Sequence, residues 1–162
     1  REFGLSAGQR GLVIAAPALT STLTAVRLGW LRARYGAVRL ITTAAVLFTA
    51  AFVVIGTAPT LPVLVAGALL YGLGEGVFIP TLQDVVTGTS PPEQRGAVVA
   101  VFVGAARAGQ TLGPLTASGV YGAFGTGTTF VLGGGLAAGL VVFERLGRFG
   151  DEPTGRSTAV AG

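Results

Sequence analysis

"GAARAGQTLGP", residues 104–114, sets one arginine in a stretch of small and apolar residues, and no acidic residue lies within ten positions of Arg107 on either side. In water such an arginine is ordinary. Inside a membrane it needs a partner or a water-filled space. Which of the two applies depends on the kind of chain that carries it.

Composition gives the kind. Hydrophobic residues make up 51% of the chain and charged residues 11%, with a mean hydropathy of +0.71. Soluble domains carry about 25% charged residues, and a soluble core built from these 162 residues would lack the polar surface to cover it. The chain reads as an all-α integral membrane protein. It has no Cys and no His, which removes disulfides, thiolate metal sites and the commonest general base and metal ligand. No metal and no cofactor is expected. The net charge of +4 is modest and comes entirely from arginines bunched in a few places, so the partner they suggest is the lipid bilayer and not nucleic acid. The chain starts at Arg1, contains no Met, and its first residues, "REFGLSAGQR", lack the layout of a cleaved signal peptide. It is expected to be a piece of a longer reading frame.

A bilayer core of about 30 Å takes about 20 apolar residues of helix. Five segments fit, at roughly 10–28, 39–58, 61–85, 96–122 and 127–144. Prolines 17, 80 and 114 fall inside them, which membranes tolerate where neighbouring helices or waters satisfy the freed carbonyls. The connections alternate in charge. "RLGWLRARYGAVR" (27–39) carries four Arg, "TSPPEQRG" (89–96) one and "ERLGRFGDEPTGR" (144–156) three, whereas "TAPTLP" (57–62) and "GAFGTGT" (122–128) carry none. The positive-inside rule then puts the Arg-bearing connections in the cytoplasm. The expected location is the plasma membrane, multi-pass, with the amino end outside and the carboxyl end inside; Arg1 and Arg10 run against that orientation. Residues 1–146 form the expected transmembrane region. The stretch 147–162, mostly Gly, Pro, Thr and charge without periodicity, reads as a disordered cytoplasmic tail.

Glu75, in "LLYGLGEGVFIP" (69–80), is the one acid at a depth comparable to Arg107. The third and fourth spans make a hairpin around "TSPPEQ", and the two charges are symmetric about its middle, each roughly 15–20 Å from the cytoplasmic edge at 1.5 Å per residue. Gln110, Thr111, Ser118 and Tyr121 fall within about 60° of Arg107 on a helical wheel, and Tyr71 is one turn from Glu75. These residues mark a proton or substrate path: Glu75, Arg107, Tyr71, Gln110 and Thr111. A purely structural ion pair between two helices is the competing reading. A carboxyl group can take up and release a proton, whereas an arginine stays charged, so any proton on this path rides on Glu75. Adding Phe78 gives a wall suited to an amphipathic organic compound.

Three glycine pairs, Gly72/Gly76, Gly109/Gly113 and Gly135/Gly139, have the spacing that lets helix backbones approach closely. "GLGEG" (72–76) only partly resembles a phosphate-binding glycine loop. It lacks the preceding strand and the correctly spaced third glycine, and a nucleotide site is not expected.

The organisation resembles the major facilitator superfamily, helices eight to twelve of twelve, with a drug-exporter-like character. In "GWLRARYGAVR" (29–39), Gly29, Leu31, Arg34 and Gly36 match the family's cytoplasmic loop motif, while Ala33 and Ala37 replace its Asp and a basic residue. "PPEQRG" (91–96), preceded by Asp84 and containing Arg95, is similar to the family's Pro-Pro-Glu-x-Arg-Gly turn. "GQTLGPLTAS" (109–118) matches the Gly-x-x-x-Gly-Pro helix at Gly109, Gly113 and Pro114. The resemblance implies that these residues serve conformational change, and that a first half of the same polypeptide supplies the other wall of a central cavity. It also implies a secondary transporter that moves a small organic molecule by alternating access, with proton-coupled export as the expected mode. The alternative is a non-transporting membrane scaffold or assembly subunit in which Glu75 and Arg107 form a structural pair. An enzyme is not expected, with no His, no Cys and no paired acids near a membrane face. Asp84 and Glu93 read as loop anchors that pair with Arg95 or Arg34.

Overall fold

The structure, a computed structural model, describes residue 4 and residues 6–147. The tail expected from residue 147 therefore lies, from 148 on, outside the described residues. Everything described is helix or short connection, with no strand among the described residues.

Ser6 opens the first helix. Its hydroxyl accepts the Gln9 N–H at 3.3 Å, and the Gln9 side-chain oxygen accepts the Ser6 N–H at 3.0 Å, a reciprocal cap for amides that a helix start leaves unpaired. Helix α1 runs Ala7–Val26 with Pro17 inside it. The chain bends by 61° at Arg27 and continues as α2, Leu28–Tyr35. The stretch 27–39, read above as a connecting loop, is thus mostly helical. Its Leu, Arg and Ala residues are good helix formers, and no proline interrupts them. Gly36 ends α2 with φ 76° and ψ 162°, a conformation essentially confined to glycine that costs side-chain-bearing residues about 1–3 kcal/mol.

Helix α3 spans Ala37–Thr57, and α4 spans Leu61–Gly88 with Pro80 inside. A single 3-10 turn, Pro92–Gln94, leads into α5, Arg95–Gly147, which contains Pro114. Straight, α5 would be about 80 Å long, far beyond a bilayer core of about 30 Å. It is not straight in backbone terms: Gly125 sits at φ 79°, ψ 177° and divides it into two arms. The stretch 122–128, read as an open turn, is helical apart from that one glycine. By length and composition three helices can cross a membrane, and a fourth if the bent α1–α2 pair counts as one broken span.

Helix α4 lies between α1 and α3, and glycines set how close they come. A Cβ at Gly72 would overlap the Pro17 carbonyl and Thr20 hydroxyl oxygens of α1, and one at Gly76 would overlap the Ser21 carbonyl. On another face, a Cβ at Gly67 would sit 2.6 Å from Ile55 Cγ1 and one at Gly74 3.1 Å from Phe48 Cε1, both on α3. The Thr20 hydroxyl donates to the Leu69 carbonyl at 3.0 Å, a polar tie between α1 and α4. The second arm of α5 packs on α3 through Phe130 against Gly56 and through Gly133 and Gly134 against Phe52. The first arm contains no buried residue over 95–124.

Of the three glycine pairs expected to pack helices, Gly72/Gly76 alone does so among the described residues. A Cβ at Gly109, Gly113, Gly135 or Gly139 would meet nothing within 4 Å, because these glycines face sides of α5 that the described helices leave uncovered.

Candidate functional site

The glycines of "GLGEG" determine what Glu75 can face. At about 100° per residue, Gly72 and Gly76 share the side of α4 that meets α1, and Gly74 lies on the side that meets α3. Glu75 projects between those two contacts and is half-buried. Among the described residues its carboxylate makes no ion pair and no hydrogen bond.

Tyr71, one turn before Glu75, belongs to an aromatic cluster that joins three helices. Its ring centroid lies 5.2 Å from Phe48 and 5.9 Å from Phe52, both on α3. Phe78 of α4 lies 5.6 Å from Phe48, and Phe52 lies 6.3 Å from Phe130 of α5. Edge-on and tilted arrangements of this kind add about 0.5–1.5 kcal/mol per pair beyond the area they bury. The cluster therefore fixes the wall in which Glu75 is set. Sequence alone does not single out Phe48, Phe52 and Phe130. The i, i+4 spacing of Phe48 and Phe52 was the available signal, but it does not say which helix they meet.

Arg107 lies on the exposed first arm of α5. Its guanidinium donates to Gln110 Oε1 at 3.1 Å, and the Thr111 hydroxyl donates to the Arg107 carbonyl at 3.0 Å. The structure thus gathers Arg107, Gln110 and Thr111 on one helix, and Tyr71 with Glu75 on another. Counted from the ends of α4 and α5, Glu75 and Arg107 are each about 18–20 Å along their helices from the connecting turn. No ion pair joins them.

The remaining motif residues divide differently. Leu31 packs against the buried cluster of Leu40, Ala44 and Val77, which seats α2 on α3 and α4. Asp84, exposed near the end of α4, forms an ion pair with Arg32. The expected partners were Arg34 and Arg95. Positions 32 and 34 are about 200° apart on a helix, so only one of them can point at α4, and Arg32 does. Among the described residues Arg34 makes no polar contact, and the Arg95 Nε donates to the Ser90 carbonyl of its own turn at 3.4 Å. The side chains of the Arg32–Asp84 pair are 33% and 53% exposed. Such a pair contributes below about 1 kcal/mol to stability, so its significance is the position in which it holds α2. Gly36 makes the turn after Tyr35, while Gly29, Gly109 and Gly113 border open space. Among the described residues no cluster of acidic side chains is placed to hold a metal ion.

Comparison with known proteins gives the context. The family model for the Major Facilitator Superfamily matches residues 1–160. Among curated relatives, the chain is similar to human major facilitator superfamily domain-containing protein 10, with 36% identity over 101 residues, 62% of this chain and 22% of that protein. It is similar to the multidrug export protein EmrB of Haemophilus influenzae, with 30% identity over 101 residues, 62% of this chain and 20% of that protein. It is similar to the fatty acid resistance protein FarB of Neisseria gonorrhoeae, with 29% identity over 130 residues, 80% of this chain and 26% of that protein. The matched segment is thus only about a fifth to a quarter of each relative's length. No solved structure matches.

Proposed function

The chain belongs to the Major Facilitator Superfamily, and from that membership we propose that it forms part of a secondary active transporter that exports a small amphipathic organic molecule in exchange for protons. The observation that carries the reading is Glu75. It is a half-buried carboxylate on an apolar helix, with glycines on either side that pack against α1 and α3, and no cation of the described chain beside it. An ionisable group in that setting belongs by default to an ion or substrate pathway.

In this reading Glu75 takes up a proton from one side of the membrane and releases it to the other. Tyr71 and Phe78 offer aromatic surface beside it. The first arm of α5, with Arg107, Gln110 and Thr111 on one face, packs against a further set of helices from the same polypeptide. Alternating access then comes from rocking one bundle against the other. Arg107 approaches Glu75 in one state and leaves it in the other, so that proton release and closure are linked. Of the relatives, the multidrug export protein supports the outward direction, and the fatty acid resistance protein supports an amphipathic substrate. Charge in the connections supports cytoplasmic placement of 27–39 and 89–96.

The experiment expresses the full-length polypeptide that carries this chain in cells stripped of their own efflux pumps. Accumulation of a panel of amphipathic dyes and drugs is then measured with and without a proton-gradient uncoupler. Lower accumulation that returns to the control level on uncoupling supports proton-driven export. Accumulation that the protein never changes, across the whole panel, contradicts it.

A further inference from the structure

We propose that the pocket between α2 and the start of α3 binds the phosphate of an anionic phospholipid headgroup, from the leaflet that the arginine-rich segment 27–39 faces. This inference rests on the chain's place in a membrane and not on the transport reading.

The first observation is charge. The segment 27–39 carries four arginines and no acid. Arg32 is engaged by Asp84. Among the described residues Arg27, Arg34 and Arg39 make no ion pair and no side-chain hydrogen bond. Three arginines beside a bilayer surface attract anionic lipid, each contributing about fivefold in affinity.

The second observation is shape. A pocket of about 570 Å³ is lined by Leu31, Tyr35, Val38, Arg39, Thr42 and Thr43. The hydroxyls of Thr42 and Thr43 donate to the carbonyls of Val38 at 3.1 Å and Arg39 at 2.8 Å. The donors left for a guest are the Arg39 guanidinium and the Tyr35 phenol. A guanidinium fork matches two phosphate oxygens at once, and a phenol supplies a third donor. Leu31 and Val38 give an apolar wall for the start of an acyl chain.

The third observation is the setting. Helix α2 leaves α1 at 61°. It carries Trp30, 62% exposed, whose ring meets the Tyr35 ring edge-on at 6.3 Å. Trp and Tyr together mark the level at which a membrane meets water, and the Trp30 contact steadies the phenol that would reach the phosphate. A zwitterionic headgroup brings its own ammonium group, which the Arg39 guanidinium lining the pocket repels; a headgroup with net negative charge does not. That selects an anionic lipid over a neutral one.

The test uses the full-length polypeptide, purified in detergent and stripped of lipid. Native mass spectrometry measures binding of phosphatidylglycerol and of phosphatidylcholine with the same acyl chains. The expected result is preferential binding of phosphatidylglycerol, lowered about fivefold by Arg39→Gln and less by Arg39→Lys, with phosphatidylcholine binding unchanged. A photoreactive phosphatidylglycerol, used on the wild type so that folding of a variant does not matter, is expected to label residues 27–43. Equal binding of the two lipids, unchanged phosphatidylglycerol binding in Arg39→Gln, or labelling elsewhere would overturn the proposal. Displacement of the lipid by millimolar inorganic phosphate would overturn it too, by showing a site for free anions.

Discussion

Arg32, on the short helix α2, holds Asp84 at the far end of α4 across 52 positions of sequence. Leu31 beside it is packed on Leu40, Ala44 and Val77. One side chain anchors α2 by burial and the next by charge. Because the charge pair is half-exposed, its loss is expected to cost under about 1 kcal/mol of stability while freeing α2 to shift. Arg32→Ala and Asp84→Ala should therefore each lower transport several-fold with little change in melting temperature, and the swap Arg32→Asp with Asp84→Arg should recover much of it. Transport assays and thermal melts of purified full-length variants check this.

The close contact of α1 and α4 gives a second expectation. Gly72→Ala and Gly76→Ala drive a methyl group into the α1 backbone, and overpacking of this kind costs about 1–3 kcal/mol. Gly133→Ala places its Cβ 3.6 Å from the Phe52 ring, an ordinary contact. It should leave the melting temperature within experimental error while the other two lower it.

Backbone conformation gives a third. At Gly125, φ of 79° breaks α5 between its two arms. With ψ at 177° the backbone lies in a region essentially confined to glycine, so Gly125→Ala and Gly125→Asn are both expected to destabilise the protein, each by about 1–3 kcal/mol. Chemical denaturation of the two variants in the same detergent checks both losses.

The polar tie from Thr20 to the Leu69 carbonyl gives a fourth. Thr20→Val keeps the shape and removes the donor, and interhelical hydrogen bonds in membranes average about 0.6 kcal/mol. A loss of that size in denaturation free energy is expected, smaller than that of Gly72→Ala next to it.

Much of the fold is written locally. Low charge and high hydropathy give the class. Pro91 with Pro92, Gly36 and Gly125 mark breaks, because each dictates a backbone choice its neighbours cannot make. The 61° bend at Arg27 has no such marker, and the helix behind it was read as loop. The site is legible in one coordinate only. Counting residues from a turn gives the depths of Glu75 and Arg107, since rise per residue is fixed. Whether two side chains of equal depth touch depends on how their helices pack. The first arm of α5 remains exposed along its length, while α4 turns its glycines to α1 and α3. Arg32 was missed for the same reason: motif spacing singled out Arg34, but the rotation of α2 on its seat decides which arginine meets Asp84.

In the proposed export cycle the proton rides on Glu75. The direct measurement reconstitutes the full-length protein in liposomes and compares two modes for a substrate found by the efflux panel: accumulation driven by an imposed pH gradient, and exchange between equal pools with no gradient. Glu75→Gln cannot release a proton but keeps nearly the same shape. The expected result is loss of gradient-driven accumulation with exchange retained. Gradient-driven accumulation equal to that of the wild type would rule out Glu75 as the proton carrier and leave it with a structural role.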